Sequence, residues 1–229
     1  MNQNLKTTEL RMPDVKNYLL ETAGKFLEKA GFKFKKSDFT FTRKHGKNNE
    51  KIFFLFYAYF PLNYRFNFLI EVWNDDIEKI KLALPAQSHF EKFGRHSIVL
   101  HTKDFFKDRK SNNQIEQSEH DYAIYTTKDL FNVADELCKR LEEQILPLVN
   151  DLSDIKGIDS FFHDRRGWSV NTMRLNNYCS ELIASKLNGE RDFHLVYKEM
   201  VSQIKKLNEK DGLWNDSLIV FKNLYSFLN

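Results

Sequence analysis

Alternation of apolar side chains is strongest in Lys51–Trp73, the most apolar and aromatic run of the chain, and it predicts two adjacent β-strands. In the first strand, one set of alternate residues comprises Ile52, Phe54, Phe56, Ala58 and Phe60, and the other comprises Phe53, Leu55, Tyr57 and Tyr59. Successive side chains of a strand point to opposite faces, so this strand is apolar on both faces. We therefore expect other elements of the fold to cover both.

The second strand has one apolar and one more polar face. Its apolar positions are Tyr64, Phe66, Phe68, Ile70 and Val72, and they alternate with Arg65, Asn67, Leu69 and Glu71. This pattern is typical of a strand that is buried on one side and wetter on the other. Pro61, Leu62 and Asn63 suit a turn between the two strands, because proline cannot donate to a sheet ladder and asparagine tolerates turn geometry.

Shorter alternations predict further strands on either side of this run. Phe32 and Phe34 alternate with Lys33 and Lys35, and Phe39 and Phe41 alternate with Thr40 and Thr42. These residues favour a hairpin that turns at Lys36–Asp38, buries its phenylalanines and carries a basic outer face. We expect a loop over His45–Glu50, and two short strands over Ser97–His101 and Tyr122–Tyr125.

Helical spacing of apolar residues precedes and interrupts these strands. A first helix is predicted to begin at Pro13, a residue tolerated in a first helical turn, and to end at Gly31, a residue favoured just after a helix. This helix is a candidate cover for the sheet. The segment Asn74–Leu84 fits either a short capped helix or extended chain.

The clearest helical stripe in the chain runs from Leu130 to Leu148, after a cap at Thr126 or Thr127. Pro147 is expected to kink or end this helix, because its ring removes a backbone donor. A short helix follows, and the last three helices are predicted around Leu175–Ile183, Phe193–Leu207 and Trp214–Leu228. Each of these three shows one apolar stripe, so we expect them to pack on one another or on the sheet.

These elements together predict an α+β fold with an antiparallel sheet of about five to six strands. N-terminal and central helices pack on this sheet, and a C-terminal helical segment follows. We expect an α+β core domain over residues 1–151 and a helical extension, packed on the core, over residues 152–229. A chain of 229 residues buries enough surface to fold without a metal ion or a disulfide.

The formal net charge of +3 is too small to indicate a nucleic-acid-binding protein, but the charges are unevenly distributed. The first 51 residues contain twelve Lys or Arg and six Asp or Glu, which suits either a surface for an acidic partner or an ordinary solvated face. No run has the features of a signal peptide or a membrane span, so we expect a soluble, cytoplasmic protein. Cys138 and Cys179 fall on or near apolar stripes, where reduced thiols act as small hydrophobes.

The basic hairpin is the first candidate binding surface. Its cationic residues are Lys33, Lys35, Lys36, Arg43 and Lys44. Two paired strands would bring these charges close together, where phosphate or carboxylate groups could bind. The alternative is a solvated sheet edge whose lysines prevent aggregation.

The segment His163–Ser169 is the second candidate. It contains His163, Arg165 and Arg166 beside a tryptophan, and the forked donors of arginine suit the clamping of an anion. The alternative is that these side chains tie a loop to the ends of neighbouring helices.

Catalytic and cofactor motifs are not found in the sequence. It has no nucleophile elbow, phosphate-binding loop, dinucleotide fingerprint or paired-cysteine metal site. His96 and His101 come close to each other if they flank a strand, but no two histidines have the spacing of a helical metal site, so we expect them to be surface or locally bonded residues. We therefore assign no catalytic residue, no metal ligand and no cofactor.

Two local patterns resemble a group of bacterial domains of unknown function. The first is the helix end and basic strand over Lys29–Lys36, followed by Phe39–Lys44, and the second is the helix end Ile145–Leu152, with its Ile-Leu-Pro-Leu sequence. The resemblance covers roughly residues 15–162. It implies an α+β core of bacterial type and favours a binding or protective role, because such domains often accompany toxins or other partner proteins. It carries no catalytic residue over to this chain.

Two hypotheses for function follow from these observations. The first is a non-enzymatic bacterial accessory protein, similar to an immunity protein, that binds another protein. The second is an anion-binding or nucleic-acid-binding module that uses the basic hairpin over residues 32–44. An enzyme with a site assembled from distant residues is the third class, and it predicts a deep pocket with several convergent polar groups.

Overall fold

The computed structural model describes residues 10–59, 63–84, 96–105, 121–164, 175–212 and 214–229. Its strands are β1 (Lys33–Lys35), β2 (Thr40–His45), β3 (Asn48–Tyr59), β4 (Asn63–Asn74), β5 (Ile98–His101) and β6 (Tyr122–Ile124). Its helices are α1 (Met12–Lys29), α2 (Asp75–Ala83), α3 (Thr127–Arg140), α4 (Leu146–Asp151), α5 (Ile155–Asp164), α6 (Leu175–Asn188), α7 (Phe193–Asp211) and α8 (Asn215–Leu228). Phe60, Pro61 and Leu62, which the sequence assigned to a strand end and a turn, lie outside the described residues.

The six strands form one antiparallel sheet, which confirms the predicted α+β fold. The order of the strands is β1-β2-β3-β4-β5, and β6 also pairs with β4. The hairpin of β1 and β2 has the register Phe34 opposite Phe41. The loop predicted over His45–Glu50 is wrong, because β2 extends to His45 and β3 begins at Asn48. Gly46, with a φ of 58°, allows the tight turn between them.

The chain forms two compact units, each built from several segments. The first unit comprises the described parts of residues 1–43, 51–70 and 100–148. The second unit comprises the described parts of residues 44–50, 71–99 and 149–229. A domain boundary after residue 151 stays a prediction.

In the first unit, α1 and α3 pack on each other, α1 contacts β1, and α3 contacts β6. Gly31 ends α1 with a φ of 88°, as its position in the sequence predicts. Thr126 caps α3 and forms a reciprocal pair of hydrogen bonds with Asp129. The predicted role of α1 as a cover for the sheet is supported by its buried residues, among them Val15 and Leu19.

Pro147 does not end the helical run that begins with α3. A π-helical turn over Leu141–Ile145 follows α3 directly, and α4 then continues to Asp151. A proline cannot donate a hydrogen bond to the preceding turn, and the wider π-helical turn just before Pro147 is a known way to accommodate such a missing donor. Of the two predicted outcomes at Pro147, a kink or a helix end, the helix end is therefore wrong, and the structure shows a local π-helical distortion instead.

The two central strands differ in how well the sequence predicted their faces. In β4 the prediction is confirmed for four of the five apolar positions, since Phe66, Phe68, Ile70 and Val72 are buried, whereas Tyr64 and the residues between them are half-buried. In β3 the prediction that both faces are covered is wrong. Leu55 is 36% exposed and Tyr57 is 41% exposed.

In the second unit, α2 is a capped helix, because the side chain of Asn74 accepts hydrogen bonds from the backbone N–H groups of Asp76 and Ile77. The prediction of one apolar stripe per helix is wrong for α6, in which every residue from Leu175 to Ser185 is buried. No helix in the described part of the chain is both long enough and apolar enough to cross a membrane.

Candidate functional site on the outer face of the sheet

Contacts between aromatic rings identify the inner face of the sheet in the first unit. The ring centroids of Phe34 and Phe41 lie 4.8 Å apart, those of Phe41 and Phe54 lie 5.5 Å apart, and those of Phe54 and Phe66 lie 5.3 Å apart. These four residues come from β1, β2, β3 and β4 in turn. Because side chains alternate along a strand, the residues next to them point to the opposite face.

We call that opposite face, within the first unit, the outer sheet face. It is formed by Lys33, Lys35, Thr40, Thr42, Lys51, Phe53, Leu55, Tyr57, Arg65, Asn67 and Leu69. Helices α1 and α3 lie against elements of the inner side, where the buried phenylalanines are. The outer sheet face is therefore the face on which β3 exposes Leu55 and Tyr57.

The centre of the outer sheet face is apolar. Three successive outward positions of β3 carry Phe53, Leu55 and Tyr57, of which the first is half-buried and the other two are exposed. The ammonium group of Lys51 lies 6.0 Å from the centre of the Phe53 ring, at the outer limit of a cation–π contact. Three apolar side chains in a row on a solvated strand are unusual, since polar residues normally occupy such positions.

Cations surround this apolar centre. The outer sheet face carries Lys33, Lys35, Lys51 and Arg65. Two carboxylates reduce the charge locally: Asp121 accepts a hydrogen bond from the side chain of Asn67 at 2.6 Å, and Asp38 in the turn after β1 accepts one from Lys35 at 3.0 Å. That bond lowers the pKa of Asp38 below its ordinary value. The outer sheet face thus favours an acidic surface.

The structure divides the residues of the predicted basic hairpin. Lys33 and Lys35 lie on the outer sheet face, but Arg43 is in phase with Phe41 and belongs to the inner side. Its guanidinium donates to the backbone carbonyl of Ala30 at 2.9 Å and lies 4.6 Å from the centre of the Phe32 ring. Arg43 therefore holds the C-terminal end of α1 and does not join the other cations.

The two remaining lysines of the hairpin lie elsewhere. Lys36 is exposed in the turn between β1 and β2 and lines a groove beside α1. Lys44 is exposed on β2, in the part of that strand that belongs to the second unit. The five predicted cations therefore do not form one cluster.

The second predicted site is only partly described. His163 is exposed in the last turn of α5. Arg165 and Arg166 lie outside the described residues. An anion clamp at this segment stays a prediction.

Sequence reasoning missed a buried ion pair in the second unit. Lys81 donates to Glu78 at 3.1 Å, and their side chains are only 2% and 4% exposed. Lys81 also donates to the backbone carbonyl of His96 at 3.0 Å, and the hydroxyl of Ser97 donates to Glu78 at 2.9 Å. The spacing of Lys81 four residues after the buried Ile77 was a signal in the sequence that this lysine faces inward.

Burial also changes the acidity of this cluster. It lowers the pKa of Lys81, although the neighbouring Glu78 opposes the effect. The pKa of the Cys179 thiol rises to about 12, chiefly because the thiol is buried. A thiol with this pKa stays protonated at neutral pH, so it is a poor nucleophile. The cluster is therefore a buried structural contact and does not have the features of a catalytic site.

A second buried cluster joins α5, α6 and the segment before α7. Arg191 donates to Asp159 and to Glu181, the latter at 3.1 Å, and Asn188 donates to Asp159 at 2.9 Å. Because the donors of Arg191 are directed at two protein carboxylates, this cluster does not have the features of a ligand-binding site. The described residues contain no group of three or more His, Cys, Asp or Glu side chains that could hold a metal ion.

Comparison with known proteins does not identify a relative. No protein-family model, no curated protein and no solved structure matches this chain. The function must therefore be argued from the outer sheet face itself.

Proposed function

We propose that this protein is a non-enzymatic, cytoplasmic bacterial protein that binds an acidic protein partner through the outer sheet face. The observation that carries the proposal is the exposure of Leu55 and Tyr57 at the centre of a face on which four cations outnumber the two neighbouring carboxylates, Asp38 and Asp121. Contiguous apolar surface that is rimmed by polar residues is a feature of protein interaction sites. Burying it against a partner removes the cost of its hydration.

The chemistry of the outer sheet face favours a protein over a nucleic acid. Its central residue, Leu55, offers apolar area but no ring on which a base could stack. Lys35 is already bonded to Asp38, which leaves less positive charge for a phosphate backbone. Aromatic side chains at the centre of a surface and arginine beside them are enriched at protein interfaces, and Phe53, Tyr57 and Arg65 supply both on this face.

A single-stranded nucleic acid is the second candidate, and one observation favours it. Tyr57 and Phe53 lie on the same face as Lys33, Lys35 and Lys51. Exposed rings beside cations on a sheet provide stacking platforms for successive bases. The phenylalanines of the hairpin itself face inward and do not supply such platforms.

The resemblance to bacterial domains of unknown function agrees with a protein-binding role of the immunity type. The two buried clusters add support, since their charged groups are directed at one another and not at a ligand. These points strengthen the case for a binding protein without naming its partner.

A photo-crosslinking amino acid at position 57, introduced in the cells that naturally produce the protein, tests the proposal. The matched control carries the same amino acid at Ile219, which is 58% exposed in the second unit. We expect one acidic protein to be captured from position 57 and not from position 219. Binding of that purified protein should weaken by about tenfold or more in a Leu55→Glu variant, as for a residue at an interface centre, and should weaken further as salt increases.

Three results would contradict the proposal. They are capture of the same protein from both positions, full binding by the Leu55→Glu variant, and a partner without an acidic surface. Oligonucleotides of about 12 nucleotides provide the remaining comparison. If oligo(U) or oligo(dT) binds in a salt-dependent manner and a Tyr57→Ala variant does not bind it, the outer sheet face is assigned to nucleic acid instead.

A further inference from the structure

A groove runs between α1 and the hairpin of β1 and β2 in the first unit. Its volume is about 460 Å³, within the range of ligand pockets. Its apolar lining includes the rings of Phe34, Phe39 and Phe41, and its charged lining consists of Lys25, Lys36, Glu21 and Glu28. The groove therefore has aromatic walls and a charged rim.

The groove lies beside an edge of the sheet. Strand β1 is the last strand in the sheet order, and no other described strand pairs with its free edge. In an antiparallel pair, every second residue directs its N–H and C=O groups away from the partner strand. Strand β1 has only three residues, so this edge offers few such groups, and an additional strand bound by β-augmentation would depend on side-chain contacts as well.

Strand β1 presents different chemistry on its two faces at this edge. Phe34 is 38% exposed and lines the groove, whereas Lys33 and Lys35 point to the outer sheet face. A strand added to β1 would place alternate side chains on these two faces. Acidic residues would then meet the two lysines, and apolar residues would meet Phe34 and enter the groove.

We propose that β1 and the adjoining groove bind an extended peptide segment in which acidic residues alternate with apolar ones. This inference deepens the proposed function, on which it rests, because it names the form in which part of the acidic partner is recognised. Lys33 supplies most of the charge that selects an acidic segment, since the ammonium of Lys35 is shared with Asp38 at 3.0 Å, and the exposed ring of Phe34 selects an apolar residue between two acidic ones.

The backbone of α1 approaches the groove at Gly24, which is buried beside the Phe41 ring. A Cβ atom at this position would lie 3.6 Å from that ring, which is an ordinary contact. A side chain longer than alanine at this position would therefore reach the space beside Phe41.

Labelled peptides of about six residues test the inference, since they cover the three residues of β1 and extend beyond both ends. The first alternates glutamate with valine, the second replaces each glutamate by lysine, and the third has the composition of the first in a blockwise order. Fluorescence anisotropy should show that the first binds at least about tenfold more tightly than the other two, the size expected for loss of one or two good contacts.

Two variants locate the binding. The combined change Lys33→Glu and Lys35→Glu should reverse the preference between the glutamate and lysine peptides. A Gly24→Leu change places a bulky side chain beside the buried Phe41 ring, so it should weaken binding of the first peptide by about tenfold and also lower the melting temperature. Circular dichroism checks the fold of each variant, and Ile219→Glu is the matched surface control.

Equal binding of the three peptides would overturn the inference, as would unchanged binding by the Gly24→Leu variant. Either result leaves the proposed function standing if the captured acidic protein still depends on Leu55. If binding of the captured protein did not depend on Leu55 but peptides still bound selectively at β1, the proposed function would be contradicted. The edge at β1 would then remain as the recognition site.

Discussion

The first and second units bury side chains of different chemistry. The sheet core of the first unit is lined by rings such as Phe41, Phe54 and Phe66, all at most 2% exposed. The second unit encloses ion pairs as well as apolar groups, including Glu78 with Lys81 and Arg191 with two carboxylates. Apolar burial is favourable in any orientation, whereas buried charges need partners in a fixed geometry. We therefore expect the second unit to be the more sensitive to single polar substitutions.

Removing the cation of the Arg191 cluster should have the largest effect on stability. An Arg191→Met variant would leave the buried carboxylates of Asp159 and Glu181 without their cationic partner. The free energy of unfolding should therefore fall by about 3–5 kcal/mol. Urea denaturation followed by two spectroscopic probes measures the change and shows whether unfolding remains cooperative.

The matched control for this prediction is the exposed pair of Lys156 and Glu190, whose charged atoms lie 2.7 Å apart in the same unit. A Lys156→Met variant should leave the denaturation midpoint unchanged within error, because exposed pairs contribute little. If the Arg191→Met and Lys156→Met variants were equally stable, the buried charges would contribute no more to stability than the exposed ones. The contrast between the two units would then fail.

Alkaline pH offers a second way to sharpen the comparison. Because burial raises the pKa of Cys179 from 9.0 to about 12, the folded protein keeps a proton that the unfolded chain loses above pH 9. The free energy of unfolding should therefore fall by up to about 1.4 kcal/mol for each pH unit in this window.

In a Cys179→Ala variant, the free energy of unfolding should decline less steeply between about pH 9 and about pH 11 than in the unsubstituted protein. The lowered pKa of Lys81 acts in the opposite direction, but Lys81 is present in both proteins and its effect largely cancels in the difference. Thermal unfolding across this pH range gives the two slopes. Identical slopes would contradict the proposed burial of the thiol.

In the first unit, an apolar exchange should be tolerated. Phe66 is fully buried among rings, and a Phe66→Leu variant keeps most of its apolar volume. We expect a loss of about 1–1.5 kcal/mol, the upper part of the range for exchanges between hydrophobic residues. The loss should be the same at neutral and at alkaline pH, since no titratable group is removed. If urea denaturation showed that this loss of stability depends strongly on pH, the placement of Phe66 in a core of apolar rings would be contradicted.

The smallest expected effect is a gain in stability at Gly24. An alanine Cβ at this position would make an ordinary contact of 3.6 Å with the Phe41 ring. Alanine also loses less backbone entropy than glycine in a helix, so Gly24→Ala should stabilise the protein by about 0.5–1 kcal/mol. A fall in melting temperature would show that α1 and β2 pack more tightly here than the structure indicates.

Local patterns predicted most of the secondary structure because each element follows its own period. The alternation in β4 identified its buried face, and the cap of α3 was visible at Thr126. The position of Arg43 on the inner side was also readable, since it falls two residues after the inward Phe41. The basic hairpin was misjudged because the charges were counted without applying this phase.

Partners that are distant in the sequence explain what was missed. Helix α6 shows one apolar stripe in the sequence, but it packs against α2, α5, α7 and α8, and its buried Glu181 accepts a hydrogen bond from Arg191 of another segment. Likewise, the sequence pattern of the apolar outer residues of β3 would be the same whether or not a helix covered them in the fold. A local pattern reveals that a face is apolar, while only the topology reveals whether it is left open to a partner.

Hydroxyl-radical footprinting of the purified protein tests most directly whether the outer sheet face is open. Tyr57 should be oxidised far more readily than Phe54 and Phe66, which lie at 2% exposure or less. Addition of the captured acidic protein should then protect Tyr57. If Tyr57 were as protected as Phe66 in the isolated protein, the outer sheet face would already be covered and the proposed binding surface would not exist.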